Sequence, residues 1–309
     1  MDYLSDMEIG SVDARYLAFL ETIATLRPSL HRYCARMTGS VMDGEDVVQE
    51  TLFEAYRKLD QYDESRPLKP WLFRIAHNRC VDFLRRKGVR EEAEASAAGP
   101  EEVLPALPNA LGIGKAVEHL VASLPPKERA CVLLKDVLDY TLEEIAELVD
   151  STVGGVKAAL NRGRAKLAAT SPPTKPIRNA SPELVRIMRL YVERFNRRDW
   201  DGVRELTSAD ARLRVAERFA GKFVDAPYFV NYERWPWPWK LAVGEVDGEP
   251  VVIILRLRED KWTPHSAIRF AVSNERIERI MDYIHCPWLL PAAISFSLDS
   301  ESSCGEPQF

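Results

Sequence analysis

Residues 124–167 constrain the fold more than any other stretch of this chain, because they encode short amphipathic helices joined by a tight turn. Pro125-Pro126 opens a helix that runs through Glu128, Val132, Leu133 and Asp136. Thr141-Leu142-Glu143-Glu144 spells a capping box, in which the Thr hydroxyl accepts from the Glu144 amide and the Glu carboxylate reaches back. The helix at 142–149 buries Ile145, Leu148 and Val149 at helical spacing, and Asp150-Ser151 turns the chain. Thr152 then caps a last helix that holds Val153, Val156, Leu160 and Leu167 on its inner side. Its outer side offers Lys157, Asn161, Arg162, Arg164 and Lys166 and no acid. This pattern predicts a helix-turn-helix whose final helix enters the DNA major groove; a plain helical hairpin with a solvated basic face is the alternative.

The charge balance bears on that choice. A formal net charge of -5 argues against a chain that coats nucleic acid indiscriminately, yet its cations are clustered. Between positions 66 and 90 stand Arg66, Lys69, Arg74, Arg79, Arg85, Arg86, Lys87 and Arg90 against the single acid Asp82, while acids gather at 43–54 and 91–102. Such segregation implies phosphate contact on one surface and a protein partner on another. The five cysteines are scattered without a CxxC pair, and the five histidines show no metal spacing, so neither a disulfide framework nor a zinc site is expected. No apolar run approaches the roughly 20 residues of a membrane span, and the first ten residues are acidic, so the expected location is cytoplasmic.

Three compact blocks are expected within the 309 residues. A helical first block covers 12–90, a tether rich in Glu, Ala, Pro and Gly covers 91–114, and the helix-turn-helix block covers 115–169. A stiffer Pro-rich linker at 170–182 leads to a mixed third block at 183–295, with a C-terminal tail at 296–309. Within the third block a helix at 183–197 and a shorter one at 201–206 precede β-rich runs at 211–215, 251–257, 266–272 and 277–283. Residues 251–255 are almost wholly apolar, the mark of a strand buried on both faces.

In the first block, Asp43-Gly44-Glu45-Asp46-Val47-Val48-Gln49-Glu50-Thr51-Leu52-Phe53 couples an acidic face to an apolar stripe. The string from Pro70-Trp71-Leu72-Phe73-Arg74 through His77-Asn78-Arg79 to Arg85-Arg86-Lys87 is a helix with aromatics near its start and cations at its end. Together with 124–167, these strings resemble regions 2 and 4 of bacterial sigma factors of the extracytoplasmic-function group, in the same order and separated by a tether. The resemblance implies a factor that binds core RNA polymerase and directs it to a two-part promoter, with no covalent chemistry, cofactor or metal of its own. Asp43, Asp46, Gln49, Glu50 and Phe53 would dock on the polymerase. Trp71, Arg74, His77, Asn78, Arg79 and Arg85 would hold opened bases of the -10 element, where stacking is worth about 1–3 kcal/mol per base. Arg85, Arg86 and Lys87 would touch phosphate. At the -35 element, Lys157, Asn161, Arg162 and Arg164 would face the bases, with the Thr152 and Val153 amides near a phosphate. Ala158 and Ala159 stand where the family often carries polar or basic residues, and Gly163 invites close approach of DNA or of a neighbouring helix.

The stretch Tyr191-Val192-Glu193-Arg194-Phe195-Asn196-Arg197-Arg198-Asp199-Trp200-Asp201-Gly202-Val203 resembles the opening of SnoaL-like domains, members of the nuclear-transport-factor-two-like superfamily. That resemblance implies an α+β cone, a curved sheet closed by helices, fused behind two all-α domains and regulating them by intramolecular contact. Asp210, Tyr228, Tyr232, His265, Asp282 and His285 are candidates for an isomerase- or cyclase-type site, but no pair among them has a spacing that demands catalysis. Trp235-Pro236-Trp237-Pro238-Trp239 cannot be a central strand; core packing, or an aromatic patch at the cone's mouth that takes a partner surface or a small ligand, are its two uses. A helix-turn-helix regulator that never joins the polymerase is the alternative for the whole chain.

Overall fold

The computed structural model describes residues 14–63, 65–97, 121, 123–169, 181–216 and 218–299; most of the expected tether and of the Pro-rich linker lies outside them. In the first block, α1 (Ala14–Thr38) and α2 (Val41–Arg57) are joined by Gly39, at φ +81, and by Ser40, whose hydroxyl accepts from the Asp43 amide at 3.3 Å. The two helices cross so closely that a Cβ at Gly44 would lie 2.5 Å from the Ala35 backbone. A third helix, α3 (Leu68–Ala97), packs on both. It continues past the basic stretch into the start of the expected tether, since Glu91-Glu92-Ala93-Glu94-Ala95 are strong helix formers.

The second block contains α4 (Pro126–Val132), a π turn at Leu133–Val137, α5 (Leu142–Leu148) and α6 (Val153–Ala169). The capping box forms as read, with Glu144 N–H on the Thr141 hydroxyl at 3.2 Å and Thr141 N–H on the Glu144 carboxylate at 2.7 Å. The turn places Asp150 at φ +49, and the Thr152 hydroxyl accepts from the Gly155 amide at 3.0 Å. Leu30, Tyr33, Met37, Val48 and Phe73 of the first block join Leu124, Leu134, Ile145, Val156 and Leu160 of the second in one apolar core.

The third block opens with α7 (Pro182–Asn196) and α8 (Trp200–Glu205). The strands are β1 (Thr207–Val215), β2 (Phe219–Lys222), β3 (Trp239–Val246), β4 (Glu249–Arg258), β5 (Lys261–Ser273), β6 (Arg276–Asp282) and β7 (Phe296–Leu298), with α9 (Tyr228–Glu233) between β2 and β3. They form one sheet in the order β2-β1-β6-β5-β4-β3-β7, antiparallel except where β1 meets β6. Register shifts at Thr207/Arg212, Ile254/Leu255 and Ala271/Val272 bend it. β7 contradicts the assignment of 296–309 wholly to a tail. Its three residues are exposed and so leave no alternating pattern, but they lie on Gly244, where a Cβ would stand 2.5 Å from the Ser297 carbonyl oxygen.

Alternation along the strands gives the sheet two apolar faces. Leu241, Val252, Ile254, Ile268, Phe270 and Ile280 point inward against Ile187, Tyr191 and Phe195 of α7. Ala242, Val251, Ile253, Leu255, Ala267 and Tyr283 point the other way, into a cluster with Ala35 of α1 and Val41 and Met42 of α2. The unbroken apolar run at 251–255 therefore has a physical cause: β4 is covered on one face by its own domain's helix and on the other by the first block.

Candidate nucleic-acid interface

On α3, Arg74, Asn78, Arg85 and Arg86 are exposed, whereas Trp71 is half-buried with its ring centroid 4.9 Å from that of Tyr62. Arg79 is bonded to Glu54, Arg86 lies 3.8 Å from Glu50, and Lys87 lies 3.6 Å from Asp43. His77 does not join this set. It is buried, its Nδ1 lies 3.0 Å from the Tyr33 hydroxyl, and burial lowers its pKa to about 4, so it is neutral near pH 7. The signal was present in its spacing, for His77 follows Phe73 by four residues and precedes Cys80 by three, on the inner stripe of α3.

The cations of α6 divide into two groups. Lys157 and Asn161 are exposed toward the start of the helix. Arg162 and Lys166 both reach Glu128 of α4, at 2.9 and 2.8 Å, and hold its carboxyl below the usual range; Arg164 pairs with Asp136. Thr152 is exposed and Val153 packs partly into the shared core, which leaves their backbone amides at the helix start. Gly163 serves the neighbouring helix: a Cβ there would lie 3.0 Å from Val132 Cγ2.

The acidic face of α2 is split in another way. Glu50 and Phe53 are exposed, but Asp43, Asp46 and Gln49 are half-buried under the sheet. Arg269 of β5 donates to Asp43 at 2.8 Å and to the Ser40 hydroxyl at 3.2 Å. Arg214 of β1 lies 3.2 Å from Asp46 and donates to Gln49 Oε1 at 2.6 Å, while the Tyr283 hydroxyl donates to Asp46 at 3.2 Å. Burial pushes the Asp46 carboxyl up to about 6, against the opposing pull of Arg214 and Arg269. Sequence reasoning missed Glu45, which is fully buried, bonded to Arg27, and accepts from the Trp288 indole N–H at 2.9 Å. It also missed Asp247, at φ +54 in the β3–β4 turn, which accepts the Val41 amide at 3.2 Å and the Ile294 amide at 2.7 Å. Isolated arginines in strands and an Asp-Gly hairpin turn carry no mark of a partner 200 residues away in the chain, so only the apolar second face of β4 pointed here.

Of the six candidates in the third block, Tyr228, Tyr232, Asp282 and His285 line one cavity. Asp210 is exposed and paired to Lys222 at 3.4 Å, and His265 Nε2 meets the Ile284 carbonyl at 2.9 Å. The Asp282 carboxyl is pushed up to about 6 by burial, which its hydrogen bonds from Tyr228, Tyr232 and the Ile284 amide oppose. In the Trp-Pro run, Trp239 enters the core, and Trp235 lines the cavity. Among the described residues no helix is long and apolar enough to cross a membrane, and no cluster of His, Cys, Asp and Glu could hold a metal ion.

Residues 22–90 match the family model for sigma-70 region 2, and residues 114–167 that for sigma-70 region 4. The chain is similar to the ECF RNA polymerase sigma factor SigW of Bacillus subtilis, 31% identical over 162 residues that make up 48% of this chain and 87% of that protein. Against SigG of Mycobacterium tuberculosis it is 30% identical over 213 residues, 60% of this chain and 58% of that protein. The crystal structure of the extracytoplasmic-function sigma factor SigJ of Mycobacterium tuberculosis aligns over 85% of this chain and 95% of that one, at 14% identity and a TM-score of 0.35. Two region models in order, on two helical blocks whose second carries the capped helix-turn-helix, and a relative matched over most of its length, identify the chain as a member of the extracytoplasmic-function sigma factors of RNA polymerase.

Proposed function

We propose that this alternative sigma factor is held closed by its own third domain, which covers the part of α2 that docks on core polymerase. The observation that carries this reading is the seating of Arg269 and Arg214 on Asp43, Asp46 and Gln49, with Val41 and Met42 buried beneath the same sheet. A carboxylate already paired to an arginine in one interface is not available to a second basic partner. Release of the sheet returns Asp43, Asp46 and Gln49 to the surface beside Glu50 and Phe53. Trp71, Arg74, Asn78, Arg79 and Arg85 then take opened bases, Arg86 and Lys87 the phosphates, and Lys157, Asn161, Arg162 and Arg164 the upstream element. Before they reach DNA, Arg162 and Arg164 exchange the carboxylates of Glu128 and Asp136 for phosphate. The polymerase supplies the chemistry, and this chain supplies placement.

The test compares the full chain with a chain ending near residue 170, by affinity for purified core polymerase and by run-off transcription. Tighter core binding and higher activity of the shorter chain are expected. Equal affinity of the two would refute closure.

A further inference from the structure

The inner face of the cone encloses a cavity of ≈ 440 Å³ that none of these roles uses. Such a volume accommodates a drug-sized molecule. Its wall is largely apolar, with Leu213, Val215 and Ile284, and it contains one buried carboxylate, Asp282. Tyr228 and Tyr232 each donate to Asp282 Oδ2 at 2.7 Å, and the Ile284 amide donates to Oδ1 at 2.8 Å. A carboxylate accepts about four hydrogen bonds, so one position is left for a donor that enters from the cavity. Trp235, on the same wall, has a buried indole N–H with no hydrogen-bond partner among the described residues and therefore calls for an acceptor. Arg218 and Arg234 also line the cavity, are exposed, and have no ion-pair partner among the described residues. One hydroxyl can both donate to Asp282 and accept from Trp235, and an acidic group matches the two guanidinium groups.

The cavity and the covered face of α2 are two sides of the same strands. On β1, Leu213 and Val215 line the cavity while Arg214 between them holds Asp46 and Gln49. At the end of β6, Asp282 and Ile284 face the cavity while Tyr283 between them donates to Asp46. Interiors are close-packed, so a molecule wedged against the inner side residues displaces the outer ones. We propose that the cone binds a small apolar ring compound bearing a hydroxyl and an acidic group, and that filling the cavity loosens the sheet from α2. The second half of this statement rests on the covering of α2 proposed above.

A suitable probe is 6-hydroxy-2-naphthoate, titrated into the full-length chain and followed by fluorescence anisotropy. Saturable binding is expected, weakened about ten-fold or more by Leu213→Trp, which fills the cavity, and by Arg218→Glu with Arg234→Glu; that pair is expected to leave binding of 2-naphthol, which lacks the acid, unchanged. At saturation the probe is expected to raise the affinity of the full chain for core polymerase about three-fold or more. Absence of saturable binding, or binding that neither set of variants alters, overturns the site. Binding with no change in core affinity overturns the linkage, provided Arg214→Glu in the full chain does raise that affinity. If Arg214→Glu leaves it unchanged too, the covering of α2 is what fails, and binding of the probe still stands as evidence for the site.

Discussion

Asp46 makes the proposed closed arrangement sensitive to pH. Its carboxyl is raised to about 6 by burial under the sheet, with Asp43 raising it further and Arg214, Arg269 and the Tyr283 hydroxyl opposing the shift. A carboxylate at the surface of opened α2 returns to its ordinary range, near 4. The closed state thus binds the extra proton. Its contribution to closure is fully present below the open value and is lost as pH rises through about 6. Between pH 7.5 and 5.5 this linkage tightens closure roughly four-fold, so core affinity of the full chain is expected to fall by that factor on acidification. Asp46→Asn removes the dependence, and a chain without the third domain never shows it. His31, buried in α1 with its Nε2 2.9 Å from the Val41 carbonyl, also titrates near this interface, but with its pKa lowered by burial. A lowered pKa has the opposite sign, loosening closure on acidification, so a fall in core affinity that survives in Asp46→Asn would refute Asp46 as its source without pointing to His31. In the sequence, Asp46 reads as an acid on a helix face and His77 as an imidazole in a basic helix; only burial separates their fates.

Elements explain how much of this was legible. The helix-turn-helix could be written down from its caps because a capping box, an Asp-Ser turn and an apolar repeat are local signals, and the helices end within a residue or so of where those signals lie. Strands β2 and β3, the short β7 and helix α9 escaped, since each is defined by partners distant in sequence and β7 has no buried residue to betray it. The interface was half legible: the wholly apolar 251–255 demanded a cover on both faces, but nothing local named α2 as the second cover. Two substitutions probe that element. Gly44→Ala places a methyl 2.5 Å from the Ala35 backbone and is expected to cost about 1–3 kcal/mol or more by forcing α1 from α2, read as a lowered midpoint in thermal unfolding. A wild-type midpoint would mean that the helices separate at no cost. Arg214→Glu instead sets a third carboxylate beside Asp46 and Asp43 on a partly exposed strand position. It is expected to raise core affinity about ten-fold without lowering the unfolding midpoint, and to speed amide exchange along α2.

At the scale of the molecule, the two helical blocks are also tied to each other, which bears on how a two-part promoter is reached. The buried Arg129 of α4 donates to the Leu124 carbonyl at 3.0 Å within its own block and to the Met37 carbonyl at the end of α1. In the core that the blocks share, Phe73 and Tyr140 lie with centroids 5.7 Å apart, and Lys69 stands 4.9 Å over the Tyr140 ring. This shared core joins α3 and α6 through one apolar cluster, so on the proposed reading, in which each helix meets its own DNA element, the core is expected to part on promoter binding. The proposed closure would then have two locks, the sheet on α2 and the second block on the first. Release of the sheet alone exposes the acidic face without freeing α6. Arg129→Ala removes the donor common to both blocks and leaves the Met37 and Leu124 carbonyls unsatisfied, a loss of about 1–3 kcal/mol at the junction. Small-angle scattering is expected to give the wild-type chain a radius of gyration of roughly 20 Å, the value for one compact body of this length, and the variant a value several ångströms larger at unchanged helical circular dichroism. Combined with Arg214→Glu, the variant is expected to gain promoter binding beyond the sum of the two single changes if the locks act in series. Simple additivity of the two free energies would instead show that each block opens on its own.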